Sequence, residues 1–292
     1  MKRRLAGVVA VMAIGGCATT EPVAGPVEEA TAVPADQRAR EMLASYDKAV
    51  RAAGAGPRFV PAGGLTGHIG GLEPENEHYK AAIGAGRIEA TTTLPAAPRK
   101  AGSVIWPGGE RLPVPLIDAG EALEQVIAEN GGDCLGCTPV PVTGAKLATT
   151  RIPTTRGEAT VPAWEFTLKD STFRITRVAV APSKALTYTP PAGTSGGPAA
   201  ESATTSGRAV TLRFTGSRAP ASEPCGADYP ARAVESPHAV VVIIEEQPHD
   251  GDEICPMIGF SRTATVELTE PLGERAILDV QQGQPVPLVL TP

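Results

Sequence analysis

A mainly β protein is the fold class that this sequence predicts, with an N-terminal amphipathic helix, one further short helix, and two antiparallel β-rich units joined by a Pro/Gly/Ser/Thr linker. Three observations point there. Many short stretches alternate apolar and polar residues with the period of two that a half-buried strand requires. The 32 Gly and 29 Pro among 292 residues supply turns and interrupt long helices. Apolar residues fall at helical spacing in two stretches, both short. Hydrophobic content of 42% with 20% charged residues is a globular balance, and the length suits one large or two ordinary domains.

The elements follow in order. Residues 36–53 place Ala39, Met42, Leu43, Tyr46, Ala49, Val50 and Ala53 on one helical face, with Asp36 as the expected N-cap and Gly54 as the stop. Residues 56–71 are Gly-rich and read as loop, and 73–78 are polar. Strands are predicted over 87–94 and 103–106, then a second helix over 120–129 with Ala122, Leu123, Val126 and Ile127 on one face. Strands over 142–150, 159–168 and 172–181, parted by the turn pairs Arg156-Gly157 and Lys169-Asp170, make a meander. Segment 189–207 has linker composition and separates a domain over 36–188 from one over 208–292. The second domain is expected to hold strands over 209–216, 230–235, 239–247, 260–268, 276–280 and 287–290. Of these, 240–244 is continuously apolar, as in a strand buried on both faces.

The first residues carry an address. Lys2, Arg3 and Arg4 form a positive n-region, and the uncharged run 5–16 has the length of a signal-peptide h-region. It is too short to cross a bilayer, which takes roughly 20 apolar residues. Ile14, Gly15, Gly16 and Cys17 resemble the bacterial lipobox, in which small residues let a signal peptidase reach a cysteine bearing diacylglycerol. That resemblance implies removal of residues 1–16 and a lipid, palmitate included, on Cys17. Residues 17–35, rich in Ala, Pro, Thr and Glu, then read as a flexible tether. Acyl chains contribute about 0.8 kcal/mol per buried methylene and anchoring takes more than one chain, which a diacylated cysteine supplies. The expected location is the extracytoplasmic face of the cell membrane.

Cysteine usage fits that compartment. With Cys17 lipidated, the remaining four of the five cysteines, Cys134, Cys137, Cys225 and Cys255, are expected to form disulfides. Four cysteines allow three pairings, and sequence proximity favours Cys134 with Cys137 and Cys225 with Cys255.

The phrases VTGAKLATT (142–150), VPAWEFTL (161–168), ITRVAVAP (175–182) and TVELTEPLGERAILDVQQGQPVPL (265–288) resemble those of uncharacterised lipoproteins of high-GC Gram-positive bacteria. The resemblance covers most of the mature chain. It implies a location and no chemistry, because no activity is assigned to that family.

Candidate chemical sites are few. Cys134-Leu135-Gly136-Cys137 has the C-x-x-C spacing of thiol-disulfide oxidoreductases, but Pro139 and Pro141 stand where a thiolate-stabilising helix would begin. Residues 193–198 resemble the nucleophile signature of chymotrypsin-like proteases around Ser195, with Thr194 where that family has Asp. Neither His68 nor His78 stands in that family's histidine context. His249, Asp250, Asp252 and Glu253 gather weak cation ligands in one loop without an EF-hand pattern, so no metal is expected there. Trp164 alternates with Phe166 and Leu168 as core, whereas Trp106, before Pro107, sits where an exposed aromatic would mark a patch. A net charge of −6 and no basic stripe after the leader exclude a phosphate-driven nucleic-acid partner. No cofactor is expected. A non-enzymatic, lipid-anchored envelope protein binding another envelope protein or a cell-wall component fits the most features. The alternative is an extracytoplasmic enzyme, either an oxidoreductase at the CLGC motif or a hydrolase.

Overall fold

The computed structural model describes residues 34–54, 56–73 and 76–290, so the expected signal peptide, Cys17 and most of the expected tether lie outside the described residues. Along the chain run α1 (Ala35–Ala53), β1 (Thr66–Ile69), α2 (Tyr79–Gly84), β2 (Ile88–Ala90), β3 (Gly102–Ile105), β4 (Arg111–Val114) and α3 (Ala119–Glu129). After them come β5 (Val140–Thr154), β6 (Gly157–Leu168), β7 (Arg174–Val178), β8 (Ala200–Ser206) and β9 (Ala209–Gly216). The last are β10 (Ala227–Asp228), β11 (Ala231–Glu235), β12 (Ala239–Ile244), β13 (Gln247–Pro248), β14 (Phe260–Glu267) and β15 (Ala276–Asp279). The protein is mainly β, as its alternation predicts.

The long hairpin β5–β6 is the spine of a seven-stranded sheet, in register from Val142 opposite Leu168 to Thr154 opposite Gly157, with a bulge between Val142 and Gly144. The meander continues into β7, which pairs antiparallel with β6 and then with β1. Val140, Val142, Trp164, Phe166 and Leu168 send their side chains to one face, where Ala119, Ala122, Leu123 and Val126 of α3 cover them. Val104, Val114, Ile152, Val161 and Val178 form a second cluster together with Phe59.

Strand β12 shows why the second half needs three layers. Val240, Val242 and Ile244 pack with Leu212, Phe214 and Val266 of the β8–β9–β14 sheet, whereas Val241 and Ile243 pack with Ala39, Met42, Leu43 and Tyr46 of α1. Consecutive strand residues face opposite ways, so a strand apolar at every position requires a cover on both sides. Each fully buried Val, Leu, Ile or Met contributes roughly 1.5–3 kcal/mol. Strand β12 lies between β11, antiparallel, and β15, parallel.

Several expectations need correction. Helix α1 starts at Ala35 behind Pro34, so Asp36 is not the N-cap; it stands in the first turn and pairs with Arg232. The helix packs on β12, although its place in the sequence assigns it to the first domain. Residues 200–206, expected as part of the linker, are strand β8, because Thr and Ser opposite β9 suit a half-solvated sheet face as well as they suit a loop. Of the strand expected over 87–94 only β2 forms, parallel to β5. Residues 287–290 make a single bridge, Leu288 to Ala203, instead of a strand. The sheets are not wholly antiparallel: β2–β5 and β12–β15 are parallel, each pair joined by a long crossover.

Candidate functional site

Loop 249–259 gathers His249, Asp250, Asp252, Glu253 and Cys255 and is stapled to the turn at Cys225. Cys225 and Cys255 pair at disulfide distance, with Cα atoms 5.4 Å apart, and Cys225 takes a left-handed φ of 59° at the turn. The short pair β10–β13 and the bond from His249 N–H to the Gly226 carbonyl (2.9 Å) bring the two segments together. Glu253 turns back and accepts the Cys225 N–H at 2.9 Å. That hydrogen bond, then Glu253's own backbone N–H, holds its carboxyl below the usual carboxylate range.

Of the four weak cation ligands only two meet. His249 Nε2 lies 3.7 Å from Glu253 Oε1, and its Nδ1 is 2.8 Å from the Ala221 carbonyl, so both side chains fasten the loop. Asp250 and Asp252 are exposed and take no part in that arrangement. The Cys225 and Cys255 sulfurs come within 4.8 Å of a Glu253 oxygen, but they bond to each other and offer no thiolate.

Beyond the staple, the loop presents apolar side chains to solvent: Ile254 is 100% exposed, Met257 104% and Ile258 63%. An adjoining cleft of about 660 Å³ is lined by Ala35 at the start of α1, Ser195, Gly197, Glu245 and the β13 residues Gln247 and Pro248. Its carboxylates are engaged: Glu245 pairs with Arg232, and Glu246 accepts the Tyr229 hydroxyl at 3.0 Å.

Cys134 and Cys137 also pair, with Cα atoms 5.5 Å apart, on the connection from α3 to β5. Strand β5 follows three residues later, so a strand stands where a thiolate-stabilising helix would begin. Leu135 between them is fully exposed.

The protease-like resemblance at Ser195 has a different explanation. Its backbone N–H and hydroxyl both reach Gln281 Oε1, at 3.1 and 3.4 Å, and no imidazole contacts it. Gly197, at φ 87°, passes so close to β12 that a Cβ there would lie 2.5 Å from the Ile244 carbonyl oxygen. Gly197 thus serves the crossing of the chain over β12. His68 stacks on Phe173 and His78 meets Tyr79 edge-on, both at the surface. Trp164 is core, its Nε1 donating to the Ile117 carbonyl. Trp106 is buried too, donating to Thr154 Oγ1 at 3.1 Å under the Arg156 guanidinium, which removes it as a surface patch.

No protein-family model, curated protein or solved structure matches this chain. Among the described residues no helix is long and apolar enough to cross a membrane.

Sequence reasoning treats loop 249–259 as a set of ligands and misses its apolar tip. The signal is present in Ile254, Met257 and Ile258, apolar residues among Gly, Pro, Asp and Cys that no strand or helix period absorbs. Two buried charges escape it as well. Arg38 sits on the inner face of α1 and donates to the Val280, Pro191 and Ala192 carbonyls at 2.7, 3.0 and 3.1 Å. Burial pushes the Asp279 carboxyl up, and its oxygens accept the Ala200 and Gln282 N–H groups.

Proposed function

We propose that this chain is an extracytoplasmic lipoprotein of the envelope, anchored through Cys17, in which the β-rich body is a non-enzymatic binding or accessory module. The observation that carries this reading is the use of cysteines. All four that follow Cys17 pair within the body, at Cα separations of 5.5 and 5.4 Å, as suits an oxidising exterior. The fifth stands at the end of a lipobox-like sequence behind a positive n-region and a short apolar run. The sequence resemblance to uncharacterised envelope lipoproteins of high-GC Gram-positive bacteria supports the same address.

The binding role rests on loop 249–259, where a disulfide holds exposed apolar residues in place. Large exposed apolar side chains grouped on one loop are a recognition feature, not a packing one. The enzymatic alternative draws no support from a converging set of groups: Ser195 has no base, and the Cys134–Cys137 pair lacks a following helix.

Intact mass and metabolic palmitate labelling of the protein made in a bacterial host test the address. A chain beginning at Cys17, carrying diacylglycerol and losing it in Cys17→Ala, is the expected result. An unlabelled product cut elsewhere refutes the anchor.

A further inference from the structure

Three features could carry a second role: the hydroxyl-rich outer face of β8–β9–β14, the buried Arg38–Asp279 region, and the apolar tip of loop 249–259. The sheet face carries Thr211 and Thr265, whose hydroxyls bond each other at 3.1 Å, and no aromatic platform beside them, so it specifies no ligand. Arg38 and Asp279 are satisfied by backbone groups and hold α1 in place. The loop tip is different, because its place relative to the expected anchor can be argued.

We propose that loop 249–259 rests on the bilayer that anchors the chain, placing Ile254, Met257 and Ile258 among the lipid headgroups. The inference depends on the lipoprotein reading above and adds an orientation to it. The described body begins at Pro34, and Ala35 shares a cleft with Gln247 and Pro248, the residues that lead into the loop. The chain thus enters the described body beside the strand that leads into the loop. The residues between Cys17 and Pro34 reach at most about 60 Å even fully extended, at 3.3–3.6 Å per residue. A body held that close meets the surface at an effective concentration on the order of millimolar, so a patch too weak to bind alone becomes occupied.

The loop is built for this contact. The Cys225–Cys255 staple, the Glu253–Cys225 bond and the His249–Ala221 bond fix its base, so little ordering entropy opposes insertion. Ile254 and Met257 are fully exposed and Ile258 largely so, and insertion takes them from water, not from a packed position. The acidic residues set the lipid preference. Glu253 is turned onto the Cys225 N–H, which leaves Asp250 and Asp252 exposed beside the tip. Two carboxylates at the surface are repelled by anionic headgroups, and salt at about 0.15 M screens that repulsion beyond about 8 Å. Zwitterionic lipid is therefore preferred at low salt, with the preference fading as salt rises.

The experiment places a reporter at the tip of the full lipidated chain. Met257→Trp is introduced, lipid on Cys17 is verified by intact mass, and the protein is reconstituted on vesicles of phosphatidylcholine and of an equimolar phosphatidylcholine–phosphatidylglycerol mixture. Trp106 and Trp164 are buried and give a constant background. The expected result is a blue shift of the added emission and its quenching by brominated lipid, both absent when the reporter is Glu124→Trp on α3. In the lipidated chain carrying Met257→Trp, replacing Ile254 and Ile258 together by Ser lowers the ratio of inserted to aqueous indole about tenfold or more, as the loss of a kcal/mol or two of apolar transfer requires. A chain that is lipidated and vesicle-bound, yet whose added indole stays aqueous and unquenched, overturns the loop contact and leaves the anchor standing. A photo-crosslinker at position 257 that captures a protein and no lipid in cells overturns it in favour of a protein partner. A chain without lipid on Cys17 removes both readings.

Discussion

Replacing Arg38 by methionine isolates what fastens α1 to the rest of the protein. The side chain is 2% exposed, so its apolar stem is as much a part of the packing as its charge. Methionine keeps the stem and deletes the guanidinium. Four hydrogen bonds go with it: Nε to the Val280 carbonyl at 2.7 Å, Nη1 to the Pro191 and Ala192 carbonyls at 3.0 and 3.1 Å, and Nη2 to the Gln281 carbonyl at 3.5 Å. The Val280 acceptor is buried and would be left unpaired, costing about 1–3 kcal/mol, while the three part-buried acceptors regain water and lose about 0.5–1.5 kcal/mol each. Asp279 also loses a nearby positive charge that favours its ionised form. Against this, a cation in the first turn of a helix is disfavoured by the dipole, and its removal returns about 0.3–1 kcal/mol. The net loss is roughly 2–7 kcal/mol, a range that brackets the cost of about 3–5 kcal/mol for breaking other buried charged pairs. For a body of this size that lowers Tm by roughly 4–28 °C. Thermal unfolding followed by far-ultraviolet circular dichroism and by tryptophan fluorescence reads the shift, with Arg40→Met on the exposed face of α1 as the control, expected within about 0.5 kcal/mol of the parent. A shift for Arg38→Met no larger than the control's would refute the idea that these bonds hold the helix.

Three further outcomes follow from the same structure. Replacing Cys225 and Cys255 together by Ser should cost about 3.5 kcal/mol on the chain-entropy model, against about 2 kcal/mol for the Cys134, Cys137 pair, because the first closes the longer loop; urea titration of the two double variants in the oxidised state gives the order, and the reverse order would count against it. Glu73 accepts the Ser171 hydroxyl and then the Thr172 hydroxyl and N–H, which hold its carboxyl far below the usual value. A depressed folded-state pKa contributes stability above the ordinary carboxyl range that is lost as pH falls toward the folded value, so turn 169–173 should open at acid pH. Amide exchange at Thr172 between neutral and acid pH measures this, and Glu73→Gln should abolish the pH dependence. Asp279 has the opposite sign: burial raises its pKa, so its contribution grows as pH falls from neutral toward the ordinary carboxyl value. Asp279→Asn should flatten the Tm-against-pH curve in that window, and an unchanged slope there would show that the carboxyl is not the titrating group.

Legibility in the sequence follows the physical origin of each element. Strands β5, β6, β9 and β12 and helices α1 and α3 are readable because their patterns reflect burial on one face, or on both for β12. The short edge strand β4 carries Pro113, which a ladder tolerates only at an edge, so composition argues against it. Strand β8 is hidden because a face of Ser and Thr shared with β9 has the composition of a linker. Both cysteine pairs agree with sequence proximity, whereas the bend that presents Ile254, Met257 and Ile258 is made by contacts to Ala221, Cys225 and Gly226, far along the chain.

The docking of α1 shows where one-dimensional reading stops. Its stripe of Ala39, Met42, Leu43 and Tyr46 demands an apolar partner; of the nearest strands in sequence, β1 is mostly exposed and polar, and β2 to β4 offer faces that α3 and the β5–β6 hairpin already fill. The run 240–244 makes the complementary demand, since only half of its side chains can meet the β8–β9–β14 sheet. Two unmatched apolar surfaces from opposite ends of the chain satisfy each other, and Arg38 locks the match through carbonyls that no sequence pattern marks. The consequence reaches the proposed function: because α1 packs on β12, the chain leaving its first turn is brought beside β13, the strand that leads into the stapled loop. Had α1 covered the first sheet, the expected anchor and the apolar tip would have no common end, and the membrane-facing orientation could not be argued.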